Sequence, residues 1–416
     1  MPDTFNAIDI GTTKICTLVA QINANDELEV LGVGVAPARG MQKGMVVNID
    51  EAADAIRASV QRAERISGRR VTSALVGITG THVQSVTNTG TVTITRSDHL
   101  ISDEDVERVI ETARTTVAIP ANREIIHVIA RTFTLDGQEG VKNPVGLYGF
   151  RLDVEAHIIT GAINSIQNLT KCLDIVGIRV DNLVLEPLAS AEAVLSDDER
   201  EAGVALVDIG GGTSDIAVFT GGSVTYTAVI PVGGHQFTQD LVIGLRTPQA
   251  AAEQAKLEKG SVEAASIPAD ENISIDVFGH GEPRQVPHRL MNEILRMRAT
   301  ELVELVQAAL NRSGYGALLP AGIVLTGGGS NLNGLAQLAQ EMLQTPVRVG
   351  APEGVTGLVD TVTGPAYATS VGLLLWAENY EGGGGGNEPP ESGFDLGALF
   401  RNFLGILRNR WAEARN

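Results

Sequence analysis

Apolar residues gather in short runs along this chain, and two pairs of runs repeat one arrangement half a chain apart. Asn6-Ala7-Ile8 and Ile15 to Val19 flank Asp9-Ile10-Gly11-Thr12-Thr13-Lys14. Val204 to Val207 and Ile216 to Phe219 flank Asp208-Ile209-Gly210-Gly211-Gly212-Thr213. Each pattern reads as strand, tight glycine turn, strand. Val30 to Val35 predicts a further strand. Asp50 to Ser67 then carries helical spacing, with Ala53, Ile56, Val60 and Ile66 near one face. Val71 to Ile78 returns to strand. From His82 to Thr95 polar and apolar residues alternate with many threonines, which predicts a half-exposed strand pair. Ser102 with Asp105 forms a capping-box pattern opening a helix toward Val117, ended by Pro120. Strands follow at Glu124 to Phe133 and Leu152 to Thr160, a helix at Asn164 to Val176, a strand at Val180 to Leu185 and a helix at Pro187 to Leu195.

Past the second glycine turn, Ala250 to Glu258 and Met291 to Ser313 read as helices, with the alternating Ile273 to Val277 between them. Ile323 to Thr326 is a buried-type strand running into Gly327-Gly328-Gly329-Ser330, and Tyr367 to Tyr380 a last apolar helix. A pure glycine tract, Gly382 to Gly386, then opens a flexible linker. The chain has 416 residues, 43% of them apolar, enough for two lobes. Its formal charge of −19 argues against nucleic-acid binding, where counterion release needs a basic face. Cys16 and Cys172 are the only cysteines and have no metal-ligand or disulfide spacing, as expected in a reducing cytoplasm. No apolar run approaches the roughly 20 residues of a spanning helix, and no signal-peptide pattern opens the sequence.

Chemistry concentrates at the glycine turns. Glycine lets backbone N–H groups close around an anion, and Thr and Lys add donors. An Asp beside phosphates can hold Mg²⁺ through water. Two such hairpins facing each other would grip a polyphosphate from both sides; a single one is usually only a turn. No Walker A pattern is present. The three glycine motifs, in this order, resemble the actin/Hsp70/sugar-kinase ATPase superfamily. Leu185-Glu186-Pro187-Leu188-Ala189-Ser190 and Gly364-Pro365-Ala366-Tyr367-Ala368-Thr369 resemble its two interlobe connectors. Within it the chain resembles the bacterial cell-division family FtsA at Arg39 to Gly44, Gly77 to His82, Asn143 to Leu147 with Arg151-Leu152, His157 to Gly161, and Pro231 to Gly234.

That resemblance implies an actin-like α/β fold and assigns parts. The first lobe would comprise 1–82 and 162–198, with an α/β insertion at 83–161. The second would comprise 199–245 and 320–380, with a small subdomain at 246–319. Asp9, Gly11, Thr12, Thr13 and Lys14 would form one phosphate loop. Asp208, Gly210, Gly211, Gly212 and Thr213 would form the other, with Gly233 and Gly234 beside it. Asp9 and Asp208 would approach Mg²⁺ through its water shell. Gly327, Gly328, Gly329 and Ser330 would border the adenosine of ATP, and the Glu253/Lys256 pair the ribose; by spacing alone that pair reads instead as an exposed helical ion pair. Glu186 is the candidate for orienting a hydrolytic water, or else a structural Glu before a helix-starting Pro. At most slow hydrolysis is expected.

The end of the chain carries separate information. Leu396, Leu399, Phe400, Phe403, Leu404, Leu407 and Trp411 recur at helical spacing, with Arg401 and Arg408 beside or opposite the stripe. From Phe394 onward four arginines face Asp395 and Glu413, a net +2 that leaves −21 on the remainder. A basic amphipathic helix at 394–416, on a linker at 381–393, suits an anionic membrane; docking on a protein groove or on its own body is the other reading. Arg298 and Glu301, within Arg298-Ala299-Thr300-Glu301-Leu302, resemble the FtsA segment that receives the FtsZ tail. The resemblance thus implies a self-assembling adaptor. It would tether FtsZ polymers to the inner face of the cytoplasmic membrane at the division site, among other division-ring proteins. A pilus-assembly adaptor of the same fold and a small-molecule kinase are the alternatives.

Overall fold

The computed structural model describes residues 4–381 apart from 269, 279–282 and 317. The glycine tract and the terminal segment lie outside the described residues, and so does every residue expected to touch lipid there. The opening hairpin forms as its apolar runs predict. Thr4–Ile10 pairs antiparallel with Lys14–Ile22, from Thr4 opposite Gln21 to Ile10 opposite Ile15, and Leu28–Pro37 continues the meander. On the other side Ser73–Ile78 and then Arg179–Leu185 run parallel to the first strand. The second half repeats this connectivity. Val204–Ile209, Ser214–Thr220 and Ser223–Ile230 make the meander, and Ile323–Thr326 and Val347–Val349 add in parallel.

Helices cover each sheet for reasons visible locally. Ile49–Ser67 starts at Asn48, whose Oδ1 accepts the Glu51 N–H at 3.3 Å, and stops at Gly68 with φ +67°. A cap of this kind stabilises a helix by about 1 kcal/mol. Its Ile56 and Val60 pack with Leu169 and Leu173 of Ile163–Val176 on the outer face of the first sheet. In the second half Gly234–Leu245, His288–Ser313 and Leu335–Leu343 share a core with the strand residues Val207, Ile216 and Leu325. The sequence pattern places no helix at 234–245, although Phe237, Leu241 and Leu245 carry the helical period. The glycines at its start obscure it.

Two helices occupy the layer between the sheets. Glu186–Val194 and Ala368–Glu381 cross so closely that a Cβ on Gly372 would lie 1.8 Å from the Ala189 carbonyl oxygen. Only glycine permits that approach. Around it Leu188, Val371, Leu373 and Trp376 join Ala7, Leu18, Leu206 and Ala217 in one core that spans both halves. Thr356–Gly357 pairs with Leu28–Pro37 at the edge of the first sheet, and Ala368–Glu381 lies on first-sheet strands.

The insertion is a four-stranded sheet, in the order 84–93, 151–162, 123–135, 138–141, with Asp103–Thr116 on one face. Asp105 Oδ2 accepts both the Ser102 N–H (3.0 Å) and its hydroxyl (2.8 Å), fixing the start of that helix. The strand pair expected from His82 to Thr95 is one strand, Gln84–Thr93, hydrogen-bonded along its length to Arg151–Ala162. Asn88-Thr89-Gly90 suggests a turn, but Gly90 is there for space: a Cβ would meet the Val109 carbonyl oxygen of the covering helix at 2.1 Å. Among the described residues no helix is long and apolar enough to cross a membrane.

Candidate nucleotide site

The two acid-glycine turns fold alike, Gly11 N–H donating to the Lys14 carbonyl at 3.0 Å and Gly210 N–H to that of Thr213 at 2.9 Å. They also face each other. A Cβ on Gly211 would lie 2.4 Å from Thr13 Cγ2, and one on Gly212 2.7 Å from Thr12 Oγ1. Thr12 Oγ1 meanwhile accepts the Gly44 N–H at 3.1 Å.

Both acids are held by hydroxyls from the two helices that cross between the sheets. Ser370 donates to Asp9 Oδ2 at 2.8 Å, while Ser190 donates to Asp208 Oδ2 at 2.6 Å, with Thr369 at 3.2 Å. Asp9 and Asp208 are each 6% exposed. Burial raises the Asp9 pKa, with Lys14 and Ser370 opposing, and pushes that of Asp208 up to about 6, with Ser190 opposing.

Asp215 and Thr79, neither expected at the site, complete this cluster. Asp215 Oδ2 accepts the Thr213 hydroxyl at 2.9 Å and Oδ1 accepts that of Thr79, which ends a first-half strand. Burial and the nearby Asp208 charge push its pKa up to about 7, against the bond from Thr79. The signal in the sequence is an acid within an otherwise apolar strand. Half-buried Glu186 feels Asp9, Asp215 and Asp208 together; burial first, and then those charges, raise its pKa well above the carboxylate range. Its Oε1 is buried and has no hydrogen-bond partner. Among the described residues no three acids group closely enough to ligate one ion directly; buried acids of this kind nevertheless cost free energy until a cation or proton compensates them.

The remaining expected residues fall around these turns. Lys14 Nζ donates to the Ala366 carbonyl and sits 3.5 Å from the Tyr367 ring centroid, so its charge is held against the second connector. Gly234 and His235 donate their N–H groups to the Gly210 and Gly211 carbonyls at 2.9 and 2.7 Å, which seats the Gly234–Leu245 helix on the second turn. Gly233 N–H is occupied by Gln236 Oε1 at 2.8 Å. Lys256 Nζ contacts Glu253 Oε2 (2.8 Å), the Gly234 carbonyl (3.0 Å) and Thr238 Oγ1 (2.9 Å). The Glu253/Lys256 pair is therefore tied to the base of that helix, with the Lys256 side chain only 12% exposed. Gly327, at φ +79°, packs on Asp208 and Ile209, and Gly329 on Ile209. Gly328 faces Ala366, and the Ser330 hydroxyl is spent on the Gly327 carbonyl at 2.7 Å. Arg298 and Glu301 lie apart from the site on His288–Ser313. Arg298 grips Asp240 through Nε (2.6 Å) and Nη2 (3.0 Å) and reaches Glu301 at 2.5 Å.

Duplicated sheets, crossing helices between them and paired acid-glycine turns define a protein of the actin-like ATPase fold. Solved structures agree on the fold. The PilM-PilN type IV pilus biogenesis complex matches with a TM-score of 0.64 at 17% identity, covering 89% of this chain and 98% of the other. MreB5 of Spiroplasma citri bound to ADP gives 0.53 at 14% identity, covering 90% and 96%. Residues 205–372 match the family model of cell division protein FtsA, and 80–160 that of the SHS2 domain inserted in FtsA. Cell division protein FtsA of Pseudomonas aeruginosa is 45% identical over 369 residues, covering 89% of this chain and 88% of that protein. The Escherichia coli K12 and Bacillus subtilis proteins of the same name are 37% and 38% identical, covering 89% of this chain and 89% and 82% of theirs. The chain belongs to the FtsA family of cell-division proteins.

Proposed function

We propose that this cell-division protein is an ATP-gated adaptor. It self-associates into actin-like filaments and holds FtsZ polymers, with other division-ring proteins, at the inner face of the cytoplasmic membrane. The observation that carries the nucleotide part is the face-to-face contact of the two turns, each beside a buried acid that a hydroxyl from a helix between the sheets restrains.

Asp9 and Asp208 would hold Mg²⁺ through its waters, with Asp215 and Glu186 adding negative charge nearby. The ion would neutralise the phosphates as they enter between the turns. The backbone and hydroxyls of Gly11 to Thr13 and Gly210 to Thr213 would cradle those phosphates. Gly327 to Gly329 would lie along the adenosine, and Glu253 with Lys256 against the ribose. Glu186, whose Oε1 has no hydrogen-bond partner, would orient a water, with slow hydrolysis at most.

Membrane attachment rests on the amphipathic, net-basic segment from Phe394. FtsZ recognition rests on the His288–Ser313 helix. There an acidic ligand would have to compete with Asp240 and Glu301 for the Arg298 fork. The deciding experiment is co-sedimentation of the protein with FtsZ and anionic liposomes, with and without Mg·ATP. FtsZ should reach the liposome pellet only when this protein is present, and more so with ATP. FtsZ remaining in the supernatant under all conditions would overturn the adaptor reading.

A further inference from the structure

The acidic chain has one dense basic stretch in its folded body. Residues 57–70 hold Arg57, Arg62, Arg65, Arg69 and Arg70 against the single carboxylate Glu64, whereas the whole chain has 31 basic residues in 416. Arg62, Arg65 and Ile66 are three and four positions apart, so they share one stripe of the Ile49–Ser67 helix. Arg69 and Arg70 continue past its Gly68 cap. Arg62, Arg65 and Arg70 are exposed, and Ile66, in their midst, is 55% exposed. Arg57 pairs with Asp54. Among the described residues, none of Arg62, Arg65, Arg69 and Arg70 forms an ion pair. One cation in a last helical turn complements the helix dipole. That does not account for four.

Strand register locates this stripe. Ser67 packs against Gly32, which pairs with Val19, itself paired with Asn6; the Asn6 side chain donates to the Ser73 carbonyl at 3.1 Å. The Ser67 end of the helix, with Arg69 and Arg70 after it, therefore stands on the first sheet away from Asp9, while the Arg62 guanidinium reaches back to donate to the Val35 carbonyl, opposite Cys16 and level with Asp9. The Ala368–Glu381 helix meets Asp9 through Ser370 and packs on the other face of the same sheet, against Ala7 and Leu18.

We propose that Arg62, Arg65, Arg69 and Arg70, around Ile66, form a second membrane contact that lays the first lobe on an anionic lipid surface. The inference rests on the proposed membrane attachment of the terminal segment and adds orientation to it. A convex helix end with spread cations around one aliphatic side chain suits a plane of headgroups. An acidic peptide would be held better in a groove. Each basic residue near an anionic surface strengthens binding by about fivefold, and salt screens the effect within about 8 Å.

The test uses the full chain with a C-terminal histidine tag, held on vesicles by a nickel-chelating lipid so that tethering is independent of the terminal segment. A fluorophore on Ile66→Cys reports energy transfer to labelled lipid. On vesicles containing phosphatidylglycerol, transfer should be high. It should fall to the level seen on pure phosphatidylcholine when Arg62→Gln, Arg65→Gln and Arg70→Gln are combined, or when salt is raised to about 0.5 M. Untagged protein carrying the triple change should bind phosphatidylglycerol vesicles about 10- to 100-fold more weakly. Equal transfer on both lipids, or no response to the triple change, overturns the proposal and leaves the arginines to an acidic protein partner. Loss of untagged binding on deleting residues 394–416 reports separately on the terminal segment.

Discussion

Replacing Gly211 by alanine isolates the contact on which the nucleotide reading depends. Gly211 has no left-handed backbone to strain, so the new methyl acts only through space. Its carbon would lie 2.4 Å from Thr13 Cγ2 and 3.0 Å from Thr13 Oγ1, against an ordinary contact of 3.4–4 Å. The turns must separate by about 1 Å, and overpacking of this kind costs about 1–3 kcal/mol. In the nucleotide-free protein the lobes can open and relieve the overlap, so its melting temperature should change little. A polyphosphate gripped by both turns cannot accommodate that separation, so the cost should appear as about 5- to 150-fold weaker Mg·ATP binding by calorimetry. Thr13→Ser removes the methyl in closest contact, so in the Gly211→Ala background it should restore most of the affinity. An affinity for Gly211→Ala within twofold of wild type, or no rescue by Thr13→Ser, refutes the two-sided grip.

Further outcomes follow from the same geometry. Asp208→Asn with Gly210→Val should eliminate measurable Mg·ATP binding in calorimetry; unchanged affinity would place the phosphate site elsewhere. Deleting residues 394–416 should abolish sedimentation with anionic liposomes, and undiminished sedimentation would sink the tether. Gly372→Val, whose Cβ would meet the Ala189 carbonyl oxygen at 1.8 Å, should cost about 3 kcal/mol and lower Tm by about 5–10 °C in calorimetric scans. His127 is buried, accepts the Leu185 N–H on Nε2 at 3.0 Å, and has its pKa pushed by burial from 6.5 down to about 4. The unfolded chain therefore takes up that proton first as pH falls. Its contribution to stability is complete above about pH 6.5 and is lost toward pH 4. His127→Gln, which keeps an acceptor, should flatten the pH dependence of urea unfolding in this window by up to about 1.4 kcal/mol per pH unit.

Periodicity made the helices and strands legible, because 2- and 3.6-residue repeats are local. Ile49–Ser67, Asp103–Thr116 and Ile323–Thr326 begin and end within a residue or so of where the pattern puts them. Pairing was less legible. The alternation from His82 to Thr95 reads as a strand pair but forms the single strand Gln84–Thr93, and only the helix above it explains Gly90. At the site, glycines and acids that face solvent or ligand leave a motif, but residues that act by holding them do not. Asp215 takes a hydroxyl from Thr79, 136 positions away, and Lys14 reaches Ala366 across 352. No window along the chain contains both partners of either contact.

The crossed hydroxyls would make a nucleotide that fills the site act on both halves as one unit. Were each half to hold its own acid, either turn could fill without consequence for the other. Instead Ser370 follows the second sheet and restrains Asp9 of the first, while Ser190 follows the first and restrains Asp208 of the second. The two serines sit on helices locked together where Gly372 meets Ala189. A shift of either acid toward a cation therefore loads the same crossing. Because that crossing is packed without room for a side chain, its accessible motion is a rotation of the halves about it rather than local slack. The insertion lies across this hinge, tied to the second half where Ser85 donates to the Thr227 carbonyl at 3.3 Å and His157 meets the Thr227 hydroxyl at 3.2 Å. A change of angle at the nucleotide must therefore either carry the insertion with it or break those bonds.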